Sequence, residues 1–359
     1  MKSRFRNGVS RRSFLAGTGA VAAGLTILPK AGFSAEEAVL NFYNWDTYIG
    51  ETTLEDFQDA AGIEVKMDLF ADNDELFAKF KEGNPGYDLI VPTNDYVERM
   101  IEANMLQTLD HSMIPNFKKN VDPNFQDAEF DPGRKFSMPY MWGTIGIGYR
   151  KSAVSKIPNS WKDVYDSDEY SGRIAMMGDG ATVIQMALKY MGHSLNETDP
   201  ALIKKAEEMI INQKPHVKVF AEDNGQDLLA SGEVDLAMEW NGDVLQVIAE
   251  DDDIGYVVPK EGGLLWQDCL CIPKGAPHPE NAHKFINYIL DADAGAAIAD
   301  YIYYATPNKA ARALLPAEYS ENPAIFPTDE EVAASEASLY KGADYVRLVD
   351  ETWTRINAA

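Results

Sequence analysis

The sequence has few basic residues, few cysteines and few histidines for its length. Among 359 residues, 32 lysines and arginines face 57 aspartates and glutamates, a formal charge of −25. Such an acidic chain lacks the basic surface that neutralises phosphate groups, which excludes nucleic acid and acidic lipid as partners and favours cationic ligands. The two cysteines, Cys269 and Cys271, cannot provide a framework of disulfide bonds. Packing must therefore stabilise the fold.

The motifs of common metal, phosphate and hydrolase sites are also missing. The cysteines stand at i and i+2, and the five histidines show no ligand spacing and are predicted to lie on the surface. Residues 143–148 contain three glycines in an apolar, strand-like run and match a dinucleotide fingerprint only weakly. No Gly-x-Ser-x-Gly elbow occurs. We expect no metal, no cofactor and no catalytic activity.

Residues 1–34 differ in composition from the rest of the chain. They hold six basic residues and no acid, and the pair Arg11-Arg12 precedes a short apolar run at 14–28. This pattern is typical of a twin-arginine export signal. The apolar run has about 15 residues where a membrane-spanning helix needs about 20, so we expect no permanent anchor. Without this segment 26 basic residues face 57 acids, a balance of −31, and we expect a periplasmic protein.

From residue 39 onward, alternation of period two repeatedly gives way to helical periodicity. This pattern is typical of βαβ units and a mostly parallel sheet. Loops 44–50, 70–73 and 92–95 then follow three successive strands at their carboxyl ends, where ligands bind in open α/β sheets. The predicted strands span 39–43, 63–69, 88–91, 145–149, 173–177, 217–220, 235–239, 255–258 and 267–272.

Aromatic residues stand close to carboxylates at several of these strand ends. Alone, each tryptophan would be expected in the core and each aspartate at a helix cap or turn. Their coincidence favours a ligand whose ammonium groups are joined by methylenes. Each aromatic face then attracts a cation by roughly 0.5–2 kcal/mol, and carboxylates neutralise the amines. The residues are Trp45, Asp46, Tyr48, Trp240, Asp243, Trp266, Asp268 and Tyr304.

A series of ordered motifs resembles the polyamine-binding proteins of bacterial ABC transporters, the spermidine/putrescine-binding family. The resemblance covers nearly the whole chain after the export signal. It implies an α/β, two-lobed periplasmic binding-protein fold of type II, with the ligand in the interlobe cleft. The motifs are Asn41-Phe42-Tyr43-Asn44-Trp45, Tyr87-Asp88-Leu89-Ile90-Val91-Pro92, Met138-Pro139-Tyr140-Met141-Trp142-Gly143, Gln185-Met186-Ala187-Leu188, Trp240-Asn241-Gly242, Pro259-Lys260-Glu261-Gly262-Gly263 and Thr306-Pro307-Asn308.

The same resemblance implies the domain organisation and the partners. Lobe 1 is expected to comprise residues 36–144 and 268–315, and lobe 2 residues 145–267 and 316–359. The protein would close on a polyamine and deliver it to an ABC transporter permease in the inner membrane. A monomer is the usual state of such receptors.

Family members also suggest which residues hold the ligand. The aromatic walls correspond to Trp45, Tyr48, Trp240, Trp266 and Tyr304, and the acidic ligands to Asp179, Asp243 and Asp268. Thr93 matches a serine of the family.

Three positions bear on which polyamine is preferred. Thr182 replaces a glutamate of the spermidine-preferring members, whereas Asp243 belongs to the putrescine-preferring pattern. We therefore expect putrescine first, with spermidine a close second. Asp46 and Asp95 depart from the family and offer acids for a third amine or a guanidinium group.

Two other functions stay open at this point. A protein of the same fold could bind a guanidinium amine, iron or a sugar instead. An enzyme exported by the twin-arginine route is the other alternative, with paired acids acting on a sugar. It fits less well, because no flavin, dinucleotide or metal motif is present.

The orientation of the two cysteines follows from the predicted strand at 267–272. Asp268 and Leu270 share one face of that strand, and Cys269 and Cys271 share the other. If Asp268 faces the cleft, the thiols face the core.

Overall fold

The computed structural model describes residues 36–222 and 224–359. The predicted export signal, residues 1–34, lies outside the described residues. Residues 36–359 form one compact unit. Within the described ranges, no helix combines the length and the apolar composition needed to cross a bilayer.

Ten strands form the sheet in the described part of the chain. All nine predicted strands are present, with bounds that differ by a few residues except at the fourth, which begins well before its predicted start, and one short C-terminal strand was not predicted. The strands are β1 (Val39–Trp45), β2 (Glu64–Phe70), β3 (Leu89–Ile90), β4 (Ser137–Arg150), β5 (Ile174–Met177), β6 (Val217–Ala221), β7 (Leu236–Trp240), β8 (Ile254–Val257), β9 (Leu264–Cys271) and β10 (Glu336–Ala337).

Helices cover the sheet and connect its strands. Local sequence explains several of their ends: Asp72 accepts a hydrogen bond from the backbone N–H of Glu75 at the start of the second helix, and Gly62 ends the first with a φ of 70°. The helices are α1 (Thr53–Ala61), α2 (Asn73–Phe80), α3 (Asn94–Glu102), α4 (Pro115–Asn120), α5 (Lys162–Tyr165), α6 (Gly180–Tyr190), α7 (Pro200–Gln213), α8 (Gly225–Ala230), α9 (Asn241–Glu250), α10 (Pro279–Ile289), α11 (Ala292–Ile302), α12 (Lys309–Arg312), α13 (Ala317–Ser320), α14 (Asp329–Ala334) and α15 (Ala343–Ala358).

The strand order is β2-β1-β3-β9-β4-β7-β5-β6, with β10 beside β9 and β8 beside β4. The outer strands pair in parallel, β1 with β2 and β3, and β5 with β6 and β7. Strand β4 instead runs antiparallel to β7, β8 and β9. The prediction of a mostly parallel sheet thus holds for the outer strands and is wrong at the centre.

Strand β4 is longer than its sequence pattern predicted and has two sets of partners. Residues 137–144 pair with β9, whereas residues 145–150 pair with β7 and β8. The first part escaped prediction because Pro139 has no N–H to donate, and the register shifts between Pro139 and Met141. The change of partners coincides with the expected lobe boundary at residue 144.

The carboxyl ends of β1, β2 and β3 meet as predicted. The Trp45 Nε1 donates a 2.8 Å hydrogen bond to the carbonyl oxygen of Val91. The Asn73 Nδ2 donates at 2.8 Å to Thr93 Oγ1. Loops 44–50, 70–73 and 92–95 therefore form one edge, on which half of the expected site is built.

One of the five histidines is not on the surface. His283 is buried, and its Nε2 accepts a 2.9 Å hydrogen bond from the backbone N–H of Asp110. The prediction that all five histidines lie on the surface is wrong for this residue, because its position on the inner face of α10 was not recognised.

Candidate functional site

Four of the expected aromatic residues form a continuous row. The ring of Trp266 meets Trp240 at 5.7 Å and Tyr304 at 5.1 Å between centroids, and Tyr304 meets Tyr48 at 5.3 Å. All three contacts are edge-to-face, the geometry that the ring quadrupoles favour. Tyr140 extends the row beyond Tyr48 at 5.2 Å.

Two glycines allow these rings to approach the backbone closely. A Cβ atom on Gly242 would lie 2.4 Å from the ring of Tyr304. A Cβ atom on Gly143 would lie 2.6 Å from Trp266 and 2.2 Å from Asn241 Oδ1. All three distances are far below a normal contact. The packing of the aromatic row therefore requires glycine at positions 143 and 242, each of which belongs to a sequence motif.

Asp268 lies next to this row and is buried. Its Oδ1 accepts a 2.7 Å hydrogen bond from the Thr93 hydroxyl. The Tyr48 phenol lies beside the same carboxyl group, and burial, with the charge of Asp268, raises the pKa of Tyr48. Burial also raises the pKa of Asp268 to about 7, and the negative charge of Asp95 adds to the effect.

Asn73 holds Thr93 in place through two hydrogen bonds. Its hydroxyl accepts from Asn73 Nδ2 at 2.8 Å, and its backbone N–H donates to Asn73 Oδ1 at 3.1 Å. The hydroxyl proton is therefore directed to Asp268. The sequence pattern predicts Asn73 as a helix cap, but Asp72 occupies that position and Asn73 begins α2; the part of Asn73 in this chain of hydrogen bonds was not predicted.

Asp243 contacts Tyr304, the ring next to Tyr48 in the aromatic row. It belongs to the first turn of α9, and its Oδ1 accepts a 2.7 Å hydrogen bond from the Tyr304 hydroxyl. Tyr304 follows the end of α11, where Tyr303 adopts a left-handed conformation with a φ of 61° and turns the chain. Asp268 and Asp243 are thus connected through Tyr48 and Tyr304.

Asp95 and Asp179 form a second acidic group. Burial raises the pKa of Asp95 to about 6, and the charge of Asp179 raises it further. Asp179 caps α6, accepting from the backbone N–H of Ala181 at 3.0 Å and from the hydroxyl of buried Thr182 at 2.6 Å. Partial desolvation by the surrounding protein is the main cause that raises the pKa of Asp179, although the residue is still accessible to water. This combination is typical of a carboxylate in the wall of a cleft.

Two expected site residues lie apart from these groups. Asp46 is exposed, and its carboxylate accepts a hydrogen bond from the next residue, Thr47. Trp45 is half-buried at the end of β1, with its ring 4.5 Å from that of Phe70. Trp45 therefore borders the site through its bond to Val91, whereas the structure does not bring Asp46 to the other acids.

Sequence reasoning missed several residues that support the site. Asn241 accepts from the backbone N–H of Thr144 at 3.1 Å and donates to the carbonyl of Ala324 at 2.9 Å, which ties α9 to β4. Tyr140 donates to the backbone carbonyl of Tyr48 at 2.8 Å. Asn241 and Tyr140 both belong to motifs that resemble the binding-protein family, and that membership was the one sequence signal that could have identified them.

The thiols lie on the face of β9 opposite Asp268. Cys269 and Cys271 are both buried and unpaired, and they pack in the core with residues of β1 and α3. Burial raises the pKa of Cys269 to about 12. The prediction that these thiols face the core is confirmed, and their burial makes them unreactive.

No group of three or more histidine, cysteine, aspartate or glutamate side chains in the described residues is arranged to hold a metal ion. Asp268 and Asp243 lie beside neighbouring rings of the aromatic row, and Asp95 and Asp179 form a separate group. What the arrangement offers is a series of carboxylates separated by aromatic surface, which suits an elongated cation.

Comparison with known proteins places the chain in a family. Residues 52–328 match the family described as bacterial extracellular solute-binding protein. The spermidine/putrescine-binding periplasmic protein of Escherichia coli is 37% identical over 324 residues, which are 90% of this chain and 91% of the relative. The putrescine-binding periplasmic protein of the same organism is 31% identical over 360 residues, 95% of this chain and 97% of the relative.

A solved structure extends the comparison to the fold. The spermidine/putrescine ABC transporter substrate-binding protein of Streptococcus pneumoniae superposes with a TM-score of 0.79 at 30% identity, covering 89% of this chain and 98% of that one. The expected two-lobed binding-protein fold is thereby confirmed. These relatives are transport proteins that bind substrates, not enzymes. The match over most of its length means that this chain belongs to the bacterial extracellular solute-binding protein family.

Proposed function

We propose that this protein is a periplasmic receptor that captures a polyamine and delivers it to the permease of an ABC transporter in the inner membrane. Putrescine is the favoured ligand and spermidine a close second. The proposed ligand-binding residues are those expected from the sequence except Asp46, with Asp268 at their centre.

The observation that carries this proposal is the environment of Asp268. The carboxylate is buried, and within the described residues it forms no ion pair with a lysine, arginine or histidine. Burying a carboxylate without a counter-charge is costly. An ammonium group placed between Asp268, Thr93 and Tyr48 supplies that counter-charge and restores the ionised form.

The aromatic row supports a diamine in particular. From Asp268 the rings of Tyr48 and Tyr304 lead to Asp243. Methylene groups pack against such rings, while each terminal ammonium group meets a carboxylate. The carboxylates would repel an anion, a neutral sugar would leave the buried charge of Asp268 without a counter-charge, and no group of three or more histidine, cysteine, aspartate or glutamate side chains in the described residues is arranged to hold iron.

Closure of the two lobes couples binding to transport. Asp268 and Thr93 belong to the expected lobe 1, comprising 36–144 and 268–315, whereas Asp179 and Asp243 belong to lobe 2, comprising 145–267 and 316–359. A ligand that contacts acids from both lobes stabilises the closed form, and the permease recognises that form.

Isothermal titration calorimetry with putrescine and spermidine tests the proposal. We expect both amines to bind, putrescine more tightly, and Asp268→Ala to abolish binding. Asp344→Ala is the matched control, because it removes one carboxylate whose side chain is 93% exposed. Equal affinities of the Asp268→Ala protein and the wild type would contradict the assigned site. A metal ion or sugar carried by the purified protein in native mass spectrometry would contradict the function itself.

A further inference from the structure

Residues 335–341, here called the C-terminal strap, run between the two helices that carry the second acidic group. Within the strap, β10 pairs with β9. The Asn94 Nδ2 on α3 donates to the carbonyl of Ser338 at 2.6 Å, and the Gln185 Nε2 on α6 donates to the hydroxyl of Ser338 at 2.9 Å. The strap is therefore fixed to both helices at one residue.

The strap also contacts the acidic group itself. The Ser338 hydroxyl donates to Asp95 Oδ2 at 3.3 Å, and the backbone N–H of Tyr340 donates to Glu98 Oε2 at 3.0 Å. Through these bonds the residues that follow in the strap are held close to Asp95. The next side chain with a charge is Lys341.

Lys341 is half-buried and its ammonium group is fixed. The Nζ atom donates to Asn196 Oδ1 at 3.2 Å and lies 4.4 Å from the centre of the Tyr345 ring. Burial lowers the pKa of Lys341 to about 8, while the charges of Asp95 and Glu336 favour the protonated form. At neutral pH the group is therefore mostly a cation.

This cation does not saturate the acids near it. Within the described residues no ion pair joins Lys341 to Asp95 or Asp179. Asn196 and Tyr345 anchor the ammonium group, and its charge favours the ionised form of Asp95 without an ion pair between the two residues. A ligand amine that reaches Asp95 and Asp179 must therefore approach a fixed positive charge.

We infer that Lys341 determines how many ammonium groups the cleft accepts: it disfavours a third ammonium group beside Asp95 and Asp179 and so selects a diamine over a triamine. The inference rests on the proposed polyamine-binding function. A diamine held between Asp268 and Asp243 stays away from Lys341, whereas the additional amine of spermidine is repelled by it. In a partly buried site, repulsion between like charges is strong enough to change affinity several-fold.

Calorimetry with putrescine and spermidine on Lys341→Gln and Lys341→Arg tests this role. Glutamine removes the charge and keeps much of the side-chain length, and we expect the spermidine-to-putrescine affinity ratio to rise about five- to tenfold. Arginine keeps the charge and should leave the ratio within about twofold of the wild type. Both ligands are measured on one preparation, so a partly unfolded fraction does not alter the ratio.

Lys189→Gln is the matched control for disturbance of the strap. Lys189 donates to the carbonyl of Ala334 at 2.8 Å and pairs with Glu336 at 2.8 Å. Its replacement therefore loosens the strap but leaves the charge of Lys341 in place. We expect an unchanged ratio. An unchanged ratio in Lys341→Gln, with putrescine still bound, would overturn the inference alone, whereas a wild-type protein that binds neither amine would overturn the proposed function.

Discussion

Thr93 donates a 2.7 Å hydrogen bond to the buried carboxylate of Asp268, although 175 positions separate the two residues. Thr93 precedes α3, and Asp268 lies on β9, the strand that brings the chain back beside β3. The bond holds the carboxylate in one orientation, with Tyr48 beside it. In the proposed function, the ligand therefore meets an acid that is already positioned.

Acid should weaken polyamine binding. Burial raises the pKa of Asp268 to about 7, and the proposed ammonium ligand binds the ionised carboxylate. We expect putrescine affinity to fall by up to about tenfold per pH unit between pH 7 and pH 5. Calorimetry across this range checks the effect, and a flat profile would show that Asp268 is ionised throughout.

The stability of the ligand-free protein should change with pH in the opposite direction. The folded-state pKa of Asp268 lies above its ordinary value of 3.8, so its contribution to stability is fully present below that value and is lost as the pH rises to about 7. Asp268→Asn should therefore melt at a higher temperature than the wild type at pH 8. The difference should shrink toward pH 5, and a constant difference would argue against titration of this group.

Removal of the Tyr304 hydroxyl should weaken binding moderately. The hydroxyl donates to Asp243 at 2.7 Å, and a hydrogen bond to a charged group contributes about 1.5–3 kcal/mol. We expect Tyr304→Phe to lower putrescine affinity about ten- to hundredfold in calorimetry, because Asp243 loses its fixed orientation. Tyr301→Phe, at a residue that is 51% exposed, is the control and should bind as the wild type does.

A glutamate at position 182 should change ligand preference. Thr182 is buried and donates to Asp179 at 2.6 Å, so a longer acidic side chain there adds a carboxylate beside Asp179. We expect Thr182→Glu to raise the spermidine-to-putrescine affinity ratio at least threefold by calorimetry, a change of about 0.65 kcal/mol or more. Thr182→Gln has the same size without the charge. If both variants shift the ratio equally, shape rather than charge sets the preference.

Alanine at position 242 should displace the Tyr304 ring. The new Cβ atom would lie 2.4 Å from that ring, so we expect Gly242→Ala to destabilise the protein by about 1–3 kcal/mol and to impair binding. Chemical denaturation measures the first effect. In the double variant Gly242→Ala/Tyr304→Ala the clash is absent, so the two losses of stability should not add. Additive losses would mean that Gly242 is needed for another reason.

Much of the fold could be predicted because its strands alternate clearly and end at loops rich in aromatic and acidic residues. The first half of β4 could not, because Pro139 and the irregular register around it break the strand pattern. The antiparallel centre of the sheet was missed for a related reason. Periodicity reports that a strand exists but not the direction of its neighbours.

The site was predictable where an aromatic residue and an acid are close in sequence, as at Trp266 and Asp268. It was not predictable where the partners are distant in sequence. Ser338 reaches Asp95 across 243 positions, and Lys341 lies in the same C-terminal segment, which has no motif of its own. Asn73 was assigned to a helix start, and only the folded chain shows that it also holds Thr93.

The change of partners along β4 has a mechanical consequence for the proposed opening and closing of the cleft. Because residues 137–144 and 145–150 pair with different strands, any rotation between the two groups must be absorbed within a few peptide units of one continuous strand. Thr144, at that point, is bonded through its backbone N–H to Asn241 and through its hydroxyl to Tyr256. In the proposed receptor, opening and closing of the cleft twist this hydrogen-bonded strand, and its resistance to twisting helps to set how readily the empty protein closes.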